Sequence, residues 1–172
     1  ASRGKPDGRL LAKLLAHPYL SKRPPKSTGR EIFGTPMVEE LLAIREARQL
    51  SIETLLATCS RWTAESVGTA RRWIQGEIDE VIVGGGGVRN RAIMNHLADV
   101  FSPAPVVPFD SIGWDSKAFE AVAFAVLGYQ TVMEQCGNVP AVTGAASPRL
   151  LGCIVPSGPG WYERLHPARR RK

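Results

Sequence analysis

"DEVIVGGGGVRN", residues 79–90, sets a β-branched run directly against four consecutive glycines. The run Val81-Ile82-Val83 is short and wholly apolar, as expected of a strand buried on both faces. Four glycines cost chain entropy and bring no side chains to pack, so the turn answers a need of the backbone itself. Glycine tolerates positive φ and lets backbone N–H groups meet a ligand with no Cβ between them. A tight turn where helix and strand pack closely is the competing need.

Behind the turn, "NRAIMNHLADVF" (90–101) changes to helical spacing, with Ile93, Met94, Leu97, Val100 and Phe101 inward. "PVVPF" (105–109) reads as a second short strand. "KAFEAVAFAVLGYQTVMEQ" (117–135) reads as a helix, apolar on most sides and therefore predicted to be buried. Strand, helix, strand, helix implies a right-handed crossover with parallel strands. The glycines then lie at the carboxyl end of a parallel strand, where open α/β sheets take their ligands. The following helix adds unpaired N–H groups and its positive dipole end. The turn is neither a Walker loop nor a GxGxxG turn with a distant acidic partner. Its placement points to a nucleotide or phosphate.

Upstream the chain reads as helical. "GRLLAKLLAH" (8–17) puts Leu10, Leu11, Leu14 and Leu15 on one face, and Pro18 is expected to stop it. A loop rich in Pro and cations (21–31) follows, then a helix over 36–49 with Met37, Val38, Leu41 and Leu42 inward. The longest amphipathic helix is predicted from Ser51 to Gly76. Trp62, Trp73, Phe101 and Phe124 are assigned to the core, His17 to a helix end, and Lys26 to solvent. No internal repeat shows, and the last 25 residues read as loop apart from "LLGCIV".

The bulk properties narrow the function classes. Three scattered cysteines with no CxxC pair favour a reducing, cytoplasmic setting, and the three histidines stand at no zinc-ligand spacing to them. No apolar run is long enough for a bilayer, so no membrane partner is expected. The net charge of +6 owes four charges to "RRRK" at 169–172, and no recognition-helix pattern supports nucleic acid as a partner. The first residues carry neither a signal-peptide core nor a starting Met, and the chain is expected to be a piece of something longer.

"HPYLSKRPPKSTGREIFG", "VIVGGGGVRN", "FEAVAFAVLGYQTV", "GNVPAVTGA" and "LGCIVP" occur together and in this order. The set resembles the C-terminal half of the anhydro-N-acetylmuramic acid kinases, from about residue 3 to 157. The resemblance implies a ribonuclease-H-like lobe of the actin, hexokinase and Hsp70-like ATPase superfamily. That lobe would span 1–157, with 158–172 a disordered basic tail. It implies ATP with Mg²⁺, and hydrolytic opening of the 1,6-anhydro ring coupled to phosphorylation of O6. By position Gly85, Gly86 and Gly87 would carry the adenosine, and Asn90 would cap the next helix and face the nucleotide. Glu120 stands where a family glutamate reaches the sugar; otherwise it is a first-turn carboxylate serving the helix dipole. Arg30 would orient the anhydrosugar, or pin its loop through an ion pair with Glu31, the reading favoured from chemistry.

Two departures qualify the resemblance. Ser116 and Lys117 stand where the family has Gly-Asp, which puts local sugar or metal contacts in doubt. The family's Gly-Thr-Ser-x-Asp-Gly phosphate loop and its Asp-Thr-Gly-Pro-Gly-Asn segment, which holds the base, are not among these residues. No catalytic base is therefore assigned here; the missing N-terminal lobe is the expected partner, and the apolar surface left by its absence would favour sticky or dimeric behaviour. The alternatives are a lobe acting on levoglucosan, or a non-catalytic nucleotide-binding or interaction module.

Overall fold

The computed structural model describes residues 1–155, 158–161 and 164. Most of the predicted tail over 158–172 lies outside the described residues, its terminal "RRRK" included. The described chain is helix-rich α/β and divides into two compact units, Ala1–Phe119 and Glu120–Lys172.

In the first unit, α1 (Gly8–Leu15) starts at Asp7, whose carboxylate accepts the Leu10 amide at 2.7 Å. The same carboxylate takes both guanidinium nitrogens of Arg48 at 2.9 Å, a two-pronged grip from the end of another helix. Pro18 begins a helix as well as ending one: it is the first residue of α2 (Pro18–Ser21), where its missing N–H costs nothing. His17 caps α2 through Nδ1, the helix-end role its position predicts. α3 (Arg30–Phe33) and α4 (Thr35–Ala47) follow.

α4 contributes Met37, Leu41 and Ile44 to a core built on Leu10, Leu14 and Leu55. Val38 and Leu42, predicted inward, are exposed because they stand one residue further round the helix than this contact stripe. α5 spans Ile52–Gly68, shorter than predicted, and continues as a 3₁₀ turn over Thr69–Trp73. Trp73, assigned to the core, is partly exposed on that extension. Trp62 packs on the first core and Phe101 is buried in a second one, as expected.

β1 (Val81–Val83) and β2 (Val106–Pro108) form a parallel pair in the register Val81 to Val106, Ile82 to Val107 and Val83 to Pro108. α6 (Arg91–Phe101) connects them, as the strand–helix–strand reading requires. α6 packs on α5, where Ala64 at 0% exposure lets the helices close around Leu97 and Phe101. Gly68 extends that approach: a Cβ there would strike Val100 Cγ1. The prediction of a strand buried on both faces fails at Ile82, 42% exposed. The two-stranded sheet packs one face on α6, and within the first unit Ile82 on the other face stays exposed.

The second unit opens with α7 (Phe119–Val132), whose first residue belongs to the first unit, and includes the short α8 (Pro140–Thr143). "LLGCIV" forms no strand, although the Leu151 carbonyl accepts from the Thr131 hydroxyl. α7 overturns the prediction of a buried helix: none of its residues is buried, and Phe124, assigned to the core, is 73% exposed. An all-round apolar pattern records what a helix is suited to contact, and the described residues do not cover it.

Candidate functional site

The parallel register puts the ends of β1 and β2 on one edge, and both following segments converge there. Residues 86–89 form a 3₁₀ turn in which the Asn90 amide donates to the Gly87 carbonyl at 3.0 Å. Asn90 then caps α6, its Oδ1 accepting from Ala92 at 3.1 Å and from Ile93 at 3.4 Å. The oxygen is committed to the helix, and the exposed Nδ2 makes no hydrogen bond among the described residues.

The four glycines have different reasons. Gly84 is required by packing, since a Cβ there would enter the Phe109 ring. Gly85 is required by conformation, with φ 82° and ψ −175°, a region open only to glycine. Gly86 and Gly87 meet neither condition: their φ values are not positive, and an added Cβ would find no atom within 4 Å. Their amides donate to no backbone carbonyl among the described residues and lie exposed at the head of the turn. Consecutive free N–H groups without Cβ shielding form a concavity suited to an anion or a ligand carbonyl.

A second layer holds this turn. The Gly85 amide donates to the carbonyl of Ser116, a residue 4% exposed, at 3.1 Å. The Ser116 hydroxyl donates to Asp110, in the 3₁₀ turn (Phe109–Ile112) that follows β2. That bond holds the Asp110 carboxyl below the usual carboxylate range, and Arg89 acts weakly in the same direction. Asp110 and the clamp role of Ser116 escape sequence reading. The signal was present only as the departure at Ser116, and the contact that gives it meaning is long-range.

Arg30 is exposed at the start of α3, and no hydrogen bond or ion pair among the described residues joins it to the glycine turn. The expected ion pair with Glu31 is absent among the described residues: Glu31 Oε1 instead accepts the Gly29 amide at 2.6 Å, a bond that closes within the same turn. Lys26 is not simply solvated either; its Nζ donates to the carbonyls of Tyr19 at 3.1 Å and Leu20 at 3.3 Å. Glu120 is exposed in the first turn of α7, in the second unit. No cluster of three metal-ligating side chains occurs among the described residues. No helix among them is long and apolar enough to cross a membrane.

Fold and site together define a helix-rich α/β protein with a glycine turn at the carboxyl edge of a parallel strand pair, a class that binds small ligands at that edge. Comparison with known families narrows the class. The family model described as anhydro-N-acetylmuramic acid kinase matches residues 1–157. Curated relatives named anhydro-N-acetylmuramic acid kinase include one from Cyanothece sp., 43% identical over 88% of this chain and 40% of its own length. One from Salinibacter ruber is 43% identical over 92% of this chain and 41% of its own. One from Clostridioides difficile is 34% identical over 91% and 41%. This chain belongs to the anhydro-N-acetylmuramic acid kinase family, and it spans about 40% of the length of those relatives.

Proposed function

We propose that residues 1–157 are the nucleotide-side lobe of an ATP-dependent kinase of the actin and hexokinase type. It acts in the cytoplasm on 1,6-anhydro-N-acetylmuramic acid, opening the anhydro ring with water and phosphorylating O6. The observation that carries the reading is the pair Gly86 and Gly87: two glycines with free amides for which the fold itself has no use. A ligand that comes closer than a Cβ would permit supplies the use. ATP supplies the phosphoryl group, and on this chain its adenosine would be held by Gly85–Gly87 and the free Nδ2 of Asn90.

Glu120 and Arg30 are proposed to serve the sugar. No carboxylate of this chain is assigned as the base that activates water, and the groups that hold Mg²⁺ and the γ-phosphate are assigned to the missing N-terminal lobe. Phosphoryl transfer depends on positioning and charge stabilisation, so the lobe that holds only adenosine should not turn over sugar. The exposed apolar face of α7 favours association, homodimers included, when the partner lobe is absent.

Calorimetric titration of ATP tests the site directly. The parent chain should bind ATP and Gly86→Val should not, both giving the same far-ultraviolet circular dichroism; equal binding removes the assignment. ADP release with anhydro-N-acetylmuramic acid should be absent for these 172 residues and present for the full-length protein. Turnover by the short chain would refute the division of labour. In the full-length protein, Glu120→Gln should lower kcat/KM roughly 5–150-fold, the effect of about 1–3 kcal/mol for a lost polar contact.

A further inference from the structure

Within the first unit, α2, the loop behind it, α3 and the far end of α5 enclose a cleft of about 460 Å³ that takes no part in the site above. Its wall is aromatic and interlocked. The Phe33 ring lies 5.5 Å from Tyr19 and 5.7 Å from Trp62, edge to face in both pairs, and Trp73 closes the far side. Such walls offer flat apolar surface at low entropic cost.

The charge at this cleft has one sign. Lys26 Nζ stands 4.7 Å from the Tyr19 ring centroid, held there by the Tyr19 and Leu20 carbonyls. Those two bonds leave one of its three N–H groups unused, and no carboxylate pairs with it among the described residues. Arg23 lies with its guanidinium 6.0 Å from the Trp73 centroid. No acidic side chain among the described residues lines the cleft. A half-buried ammonium neutralised only by carbonyl dipoles is a place where an anion gains more than in water. The second unit supplies the contrast: its cleft of about 550 Å³, lined by Phe124, Leu127 and Ile154 among others, has no charged group among the described residues that line it.

We propose that the Tyr19–Trp73 cleft binds a small organic anion bearing a flat ring, in chemical class an aromatic carboxylate. The ring enters between the aromatic walls and the carboxylate takes the free N–H of Lys26, with Arg23 adding charge at the rim. The volume falls within the range of small-molecule sites, roughly 300–1,000 Å³.

The probe is trans-cinnamate, with cinnamyl alcohol as its neutral counterpart, followed through the indole N–H resonances of the intact chain. Cinnamate should move the Trp62 and Trp73 signals saturably, at least tenfold more tightly than the alcohol. Lys26→Gln should bring cinnamate down to the affinity of the alcohol and leave the alcohol unchanged. No saturable shift, an unchanged cinnamate affinity in Lys26→Gln, or shifts confined to Trp114 and Trp161 would each overturn the proposal. If Lys26→Gln loses the dispersed spectrum of the folded chain, Arg23→Gln takes its place, with a loss of cinnamate affinity expected and its absence decisive against.

Discussion

The carbonyl of Ser116 accepts the amide of Gly85 at 3.1 Å, which ties the segment before α7 to the one glycine in the turn that has a positive φ. That contact separates the glycines by cause. Gly84 and Gly85 are held by the protein, whereas an added Cβ at Gly86 or Gly87 would meet no atom within 4 Å.

The two groups should therefore respond differently to alanine. Gly85→Ala forces a Cβ into a glycine-only conformation and should lower stability by about 1–3 kcal/mol. Gly86→Ala should change stability by less than about 1 kcal/mol, with a gain from reduced unfolded-state entropy. Urea denaturation of both variants checks the split, and a large loss in Gly86→Ala would contradict it.

Ser116→Ala removes the hydroxyl that donates to Asp110 but keeps the carbonyl that holds Gly85. The Asp110 carboxyl should then titrate at higher pH, visible in carboxyl carbon shifts. The sign follows from linkage: the folded value is depressed, so the contribution is present above the unfolded carboxylate pKa and lost as pH falls through the folded value. In Ser116→Ala that part of the acid dependence should shrink, and an unmoved Asp110 titration would show that the hydroxyl is not its cause.

Asp7 joins three parts of the first unit: it caps α1, grips Arg48, and donates its own amide to the hydroxyl of the fully buried Thr58 at 2.9 Å. Asp7→Ala keeps the amide and loses the other two, and should cost about 1–2 kcal/mol. Arg48 and the Leu10 amide depress the carboxyl, so this stabilisation too is complete above the unfolded pKa and fades as pH falls through the folded one. Parent and variant should therefore converge in thermal stability at low pH; a gap that persists would disprove the linkage.

The contact between α5 and α6 supports the strand–glycine–helix unit from behind. Leu97→Ala opens a cavity beside Ala64 and Phe101 and should destabilise by roughly 2–5 kcal/mol, measured by chemical denaturation. A loss below about 1 kcal/mol would mean that the helices collapse onto the gap.

What the sequence determined is the local part of this protein. The β-branched run before the glycines, the cap at Asn90, the apolar stripe of α6 and the second short strand are each written within a few residues, because caps, turns and periodicity are short-range effects. The parallel pairing followed, since a strand–helix–strand order leaves the chain little choice. Family membership was legible for a related reason: its motifs are contiguous in the chain. The tertiary structure alone decided which of four adjacent glycines the fold requires, because Phe109 and Ser116 come from distant parts of the chain. It also decided the fate of apolar faces. Ile82, Phe124 and Trp73 carry the pattern of core residues, yet burial depends on a second surface to cover them, and periodicity within one segment holds no information about whether that surface is there.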